Sequence, residues 1–526
     1  MFRPSRNMIV LLVVAMLAIV GLRILATNEK RIITHDEGIS YLSATGHQGE
    51  YSAIAKGHYP FGAWVRASEW KRLIRVEKPF CLKQIGSDLA HFDIHPPLFF
   101  WVLHLWSLIW GVTLWTGPSL NTAIALLTAL TLFGFARYAL GNSWQALAVA
   151  CVWGFSPVVI QISLEARQYD LLALWTVLFI WQILKCSDLR RQFSWREYTV
   201  LIAVVAAGAL TQYLFSLAVA GALLFLVARL AWKDARRLAK GVLSIGVGYV
   251  IFYLLHPGFY LAFARQRAQE NPGIFEDVGA KIETVCKGFL DFFTPATSAR
   301  PLPILIALAA VMIIWILLVV PRRDLRSIFQ FDSANSQSVY FFSWILGSMV
   351  LFYFAFMSPS PGMGGRYMAM VWPFFAFTLI FILGLSAKYG RILMGAFCIA
   401  MLASGISSVL GGTSQDLRPD SRFAVELSDK TLVDNVSRGV LPRVFWHIAD
   451  DSYVFAASQE YLLDHKDLWL PYLDGAVYIS SVHYGGTFSR QRQLLALISK
   501  DYKICPDEKV DASIGRAFII LDSPAD

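Results

Sequence analysis

Four short polar clusters carry the side chains that could do chemistry, and each stands where an apolar run begins or ends. The first is Thr34-His35-Asp36-Glu37-Gly38. A carboxylate beside apolar surface is pushed toward its neutral form and can serve as a general base. Thr34 and Glu37 also have capping-box spacing, ahead of a helix through Ile39, Tyr41 and Leu42. Both roles can hold together, with Glu37 in the cap and Asp36 left for chemistry.

The second cluster is His91-Phe92-Asp93-Ile94-His95-Pro96-Pro97. Proline suits a first helical position, where no N–H is needed, and His95 can orient a carboxylate or meet a phosphate. The third is Glu165-Ala166-Arg167-Gln168-Tyr169-Asp170, with carboxylates on both sides of an arginine, and Gln212-Tyr213 falls on the same side of the membrane. The fourth is Gly362-Met363-Gly364-Gly365-Arg366-Tyr367. Glycines let backbone approach a ligand closely, and arginine matches phosphate oxygens. Simple snorkelling is the alternative for Arg366. His35, His91 and His95 form an alternative metal-ligand set, although their spacing follows no known ligand pattern.

The elements that must position these clusters are membrane helices. The chain has 526 residues, 56% of them apolar and only 16% charged, against roughly 25% charged in an ordinary globular chain. Its mean hydropathy is +0.52. This excludes a soluble enzyme, a disordered chain and a collagen-like one. The formal charge of +9 comes from basic residues in short loops between apolar runs. It is read as membrane topology rather than nucleic-acid binding. Six cysteines are scattered singly with no CxxC, so neither a disulfide framework nor a zinc ribbon is expected.

Residues 8–22 make a retained first span that enters from the cytosol. Further runs lie near 119–139, 144–163, 168–186, 198–211, 214–232, 240–258, 301–320, 339–357, 367–386 and 392–410. The count is about eleven spans, at about 20 residues per crossing. Residues 96–112 are ambiguous. Counted as a span, they would put the basic loops 187–197, 233–240, 321–326 and 388–391 outside. The positive-inside rule therefore makes them a helix at the outer interface. The expected fold is a multi-span α-helical membrane protein with its amino terminus inside and juxtamembrane helices in the first outer loop. That loop covers about 27–118 and belongs to a membrane domain of 1–410. Residues 411–526 become charge-rich, with strand-like runs, and read as a small α/β domain outside.

Almost no Asp or Glu stands at mid-depth in the spans, which speaks against an ion-coupled carrier. The polar clusters instead meet the outer face. They are expected to line one cavity suited to a substrate with an anionic head and a lipid tail.

Four segments occur in order: HDEGISYLSATG, DIHPPLFFWVLHLW, SLEARQYDLLAL and GGRYMAMVWP. Together they resemble the bacterial membrane glycosyltransferases of the C superfamily, of the protein-mannosyltransferase and aminoarabinose-transferase type. The resemblance covers about 1–410. It implies a polyprenyl-phosphate sugar as donor and chemistry on the periplasmic face of a bacterial inner membrane. It makes Asp36 the catalytic carboxylate. It maps His95, Glu165, Arg167, Tyr169 and Asp170 onto segments that meet donor or acceptor, and Arg366 and Tyr367 onto the Arg-Tyr pair before a late span. From their place on the outer face, Glu37 and Tyr213 are added as donor or acceptor contacts, and Arg265 or Arg267 of the second outer loop would join Arg366 in neutralising the charge on the lipid phosphate. The acceptor would be a lipid, glycan or protein of the envelope. No cofactor is required in principle, a divalent metal being the alternative. The aminoarabinose enzymes carry a lysine where this chain has His95-Pro96, which argues against a lipid A acceptor and an aminoarabinose donor. The competing classes are a lipid-linked sugar flippase and a surface-polysaccharide ligase or polymerase.

Overall fold

The computed structural model describes residues 5–269, 278–294, 344–351, 364–385, 389–411, 429–482, 486–507 and 516–522. The chain forms two compact units. One comprises 1–28, 94–99 and 118–413; the other comprises 29–93, 100–117 and 414–526.

The first unit is helical. Among the described residues, five helices are long and apolar enough to cross a membrane: Arg6–Asn28, Thr116–Leu140, Tyr169–Ser187, Ala235–Leu255 and Gly390–Leu410. A sixth span results if the pair Ser143–Phe155 and Pro157–Ser163, bent by 61°, is counted as one. Pro157 explains the bend. Its ring drives the preceding Ser156 out of helical geometry, to φ −61° and ψ 128°. Ser156 then donates from Oγ to the carbonyl of Phe292 at 2.8 Å.

The short run expected at 198–211 is the helix Trp195–Thr211, begun by a capping box of Ser194 and Glu197. Arg191 pairs with that Glu197 at 2.5 Å. The runs at 214–232 and 367–386 appear as Phe215–Leu230 and Trp372–Gly384, apolar but shorter than a full crossing. The run at 301–320 and most of that at 339–357 lie outside the described residues.

The interface segment is the helix Leu98–Trp110. Its 13 residues rise only about 20 Å, short of a core of about 30 Å. Its His104 is fully buried. Its Nδ1 donates to the carbonyl of Ala44 at 2.8 Å, inside the second unit.

The second unit is α/β. Its six-stranded sheet has the order β1-β3-β2-β4-β6-β5. The strands are β1 (Trp64–Arg66), β2 (Lys430–Val433), β3 (Tyr453–Ala456), β4 (Val477–Ser480), β5 (Tyr502–Asp507) and β6 (Arg516–Asp522). β2 is parallel to β3 and β4, and the other pairings are antiparallel. Helices Leu441–His447 and Gln459–Asp464 lie in the connections from β2 to β3 and from β3 to β4.

The division expected at residue 410 is drawn differently by the packing. β1 comes from the first loop and pairs with β3 of the tail, Trp64 opposite Phe455. Phe61 and Trp64 pack against a core that contains Leu432, Phe455, Trp469, Tyr478 and Ile520. The loop strand has only three residues and cannot bury its own face, so it folds with the tail. All six cysteines are free.

Candidate active site

The acidic motif lies in the second unit, on the helix His35–Ala44. The capping box is present. Glu37 N donates to Thr34 Oγ1 at 3.4 Å, and Thr34 N donates to Glu37 Oε2 at 2.8 Å. Glu37 also receives Lys30 Nζ at 2.5 Å, and both side chains are buried. A buried carboxylate needs such a partner, because desolvation would otherwise penalise its charge. Glu37, expected to touch donor or acceptor, is thus engaged in the cap and in an ion pair. Lys30 escaped the sequence reading, since a lysine just after a span looks like an ordinary topology signal.

Asp36 is placed differently. Its side chain keeps 17% of its exposure, and His35 Nδ1 donates to its Oδ1 at 3.1 Å. Of the two adjacent carboxylates, one is consumed by structure and the other stays within reach of solvent. His91 is exposed and donates from Nδ1 to the carbonyl of Ser87 at 2.8 Å. Among the described residues, no group of three or more His, Cys, Asp or Glu is placed to hold a metal.

The remaining candidates lie in the first unit. Arg167 is 2% exposed and reaches His95, with Nη2 to Nε2 at 2.9 Å. A guanidinium can only donate, so Nε2 of His95 accepts. Asn121 donates to the carbonyls of Glu165 (2.5 Å) and Arg167 (3.2 Å), which holds this turn in shape. Arg366 Nη1 pairs with Glu165 Oε2 at 3.5 Å and stands 5.5 Å over the ring of Tyr367. Tyr367 meets Tyr169 edge-on at 5.6 Å, and Arg167 lies 5.9 Å from that Tyr169 ring. The third and fourth clusters, some 200 residues apart, therefore form one group of two arginines, a carboxylate and two tyrosines.

Asp170 belongs to a different network. It is buried, bonds Ser163 and senses the charge of Arg23. Arg23 is itself fully buried and donates to Ser163 Oγ at 3.0 Å and to the carbonyls of Ile19 and Gly154. Asp170, expected to touch donor or acceptor, thus lies buried beside Ser163 and in the field of Arg23. Tyr213 meets His256, its Oη 3.2 Å from Nε2. Arg265 is half-buried on the helix Phe259–Gln269; the side chain of Arg267 lies outside the described residues, as does Gly362.

Comparison with known proteins bears out the resemblance seen in the motifs. The family model described as dolichyl-phosphate-mannose-protein mannosyltransferase matches residues 94–260. Among solved structures, the chain is similar to ArnT from Cupriavidus metallidurans in the apo state, with 14% identity, 97% of each chain covered and a TM-score of 0.49. The same protein bound to undecaprenyl phosphate gives 14% identity over 98% of each chain and a TM-score of 0.47. The oligosaccharyltransferase AglB from Archaeoglobus fulgidus gives 11% identity, 99% of this chain, 75% of that chain and a TM-score of 0.46. No curated protein matches the chain.

Proposed function

We propose that this chain, similar to the membrane mannosyltransferases that transfer from a polyprenyl-phosphate sugar, is an inverting glycosyltransferase with Asp36 as its general base. The observation that carries the reading is the division of labour in the first-loop motif. Glu37 is buried in cap and ion pair, while Asp36 keeps a solvent-reachable carboxylate oriented by His35.

In the proposed reaction an acceptor hydroxyl attacks the anomeric carbon of the donor. The new C–O bond forms as the bond to the phosphate oxygen breaks, and that oxygen leaves with the electron pair as polyprenyl phosphate. Asp36 takes the hydroxyl proton. The arginines assigned to the developing phosphate charge are Arg366, with Arg265 and Arg267. Arg366 already faces an anion, Glu165, so a phosphate would compete with that carboxylate for it. Nothing in this displacement requires a cofactor. The basic loops support an amino terminus in the cytosol and chemistry on the periplasmic face of a bacterial inner membrane.

The test is sugar transfer in proteoliposomes. A panel of polyprenyl-phosphate sugars is supplied with an envelope extract as acceptor. Wild type should release polyprenyl phosphate and name the sugar. Asp36→Asn should insert normally and lose about 10²–10⁴-fold in turnover. A variant retaining more than about a tenth of wild-type turnover sinks the base assignment. Donor crossing the bilayer without transfer would make the protein a carrier.

A further inference from the structure

Within the second unit, the loop after β2 runs from Asp434 to the helix Leu441–His447 and packs on the acidic-motif segment. Both ends of that loop are pinned. Asp434 is buried and accepts from Gln459 Nε2 (2.7 Å), Tyr478 Oη (2.9 Å), Ser480 Oγ (2.6 Å) and Ser481 N (2.8 Å). Arg443, 3% exposed, donates from Nε to the carbonyl of Ile33 at 3.1 Å, immediately before the Thr34 cap. Between these anchors Gly439 lies flush against the His35 imidazole, on its Nε2 and Cδ2 side, and a Cβ added there would overlap the ring. The opposite nitrogen of that imidazole, Nδ1, is the one that holds Asp36.

We propose that Gly439 is a positioning residue for the Asp36 carboxylate and acts through His35. The inference rests on the reading of Asp36 as the base. The loop is fixed at its two ends and His35 is partly exposed, so any side chain at position 439 displaces the imidazole rather than the loop. The imidazole then leaves the carboxylate it orients. The charge-rich tail, which has no counterpart in the motif resemblance, thereby acquires a role in the chemistry. It supplies the wall against which the base is aimed.

A double-mutant cycle in the full-length protein tests this. Gly439→Ala should lower kcat about ten-fold or more while KM for the donor stays within about two-fold, because a misaimed base slows the chemical step and spares binding. His35→Ala should behave alike. The double variant Gly439→Ala/His35→Ala should be no worse than His35→Ala alone, since the smaller residue leaves room for the added methyl and the two sites are coupled. Effects that multiply, or Gly439→Ala activity within about two-fold of wild type, would overturn the proposal. If Gly439→Ala alone fails to fold, the double variant must fold again; if it does not, Gly439 acts elsewhere. A wild type that transfers no sugar defeats the functional reading, while the hold of Gly439 on the His35 ring keeps its own readout. Carbethoxylation of His35 by diethyl pyrocarbonate should become faster in Gly439→Ala relative to the exposed His58 and His465. An unchanged relative rate means the ring has not moved, and the positioning role is lost.

Discussion

At the scale of single residues, neighbouring acidic groups have opposite fates because of what their side chains meet. Glu37 is drawn into a cap and onto Lys30, whereas Asp36 points where an imidazole and solvent share it. Lys30→Met would leave Glu37 buried without its cation. We expect a loss of about 3–5 kcal/mol, read as a lower melting temperature, with Lys30→Met/Glu37→Gln recovering most of it. The third cluster shows the same divergence. Glu165 and Arg167 join Arg366 and His95, while Asp170, five positions after Glu165, is buried beside Ser163 in the field of Arg23. Residue types and spacing located these groups, but could not tell a partly exposed carboxylate from a buried one. That depends on partners such as Arg23 and Lys30, each of which reads in sequence as a charge flanking a span. The segment Asn435-Val436-Ser437 matches the N-x-S/T glycosylation pattern by sequence alone. Asn435 is buried and donates from Nδ2 to the carbonyl of Ser481 at 3.2 Å, so its amide is in use as structure.

At the scale of elements, periodicity and length were informative where a segment is apolar and continuous. The first span, 119–139 and 392–410 all became long helices, and a proline accounts for the break in 144–163. The three-residue strand β1 could not be anticipated, because WVR has no pattern of its own and gains its conformation from β3. The chain enters β1 through Gly62, at φ +68° with the Tyr461 ring 2.6 Å from where a Cβ would stand. Gly62→Ala combines a disfavoured backbone with that overlap. It should cost about 1–3 kcal/mol and expose the tail to limited proteolysis, with cleavage around 429–457 appearing before cleavage in the spans.

At the scale of the whole molecule, the second unit is one fold made from two distant stretches of chain. Phe61 and Trp64 find their apolar surroundings in the tail. A protein ending at residue 411 should therefore expose that face of the loop and aggregate in detergent, seen as loss of the monodisperse peak in size-exclusion chromatography. Acid should loosen the same unit. Burial, reinforced by Arg443 and Lys71, pulls the His447 imidazole down to about 4 from its ordinary value. The unfolded chain then binds the proton more readily, so this contribution is complete above about 6.5 and is lost as pH falls toward about 4. We expect the melting temperature to drop across that window, and His447→Gln to flatten the dependence.

Hydropathy, loop charge and the four ordered motifs were enough to identify a membrane protein that resembles polyprenyl-phosphate glycosyltransferases, and to single out Asp36. Each of these signals is local: an apolar run or a short motif keeps its meaning wherever the chain goes. The tertiary structure alone decided that Glu165 meets Arg366, that β1 belongs with the tail, and that Gly439 backs His35. Such contacts join residues roughly 200 to 400 positions apart, and no periodicity or spacing rule spans that separation. They exist only because burial and hydrogen-bond satisfaction choose among the partners that folding brings near.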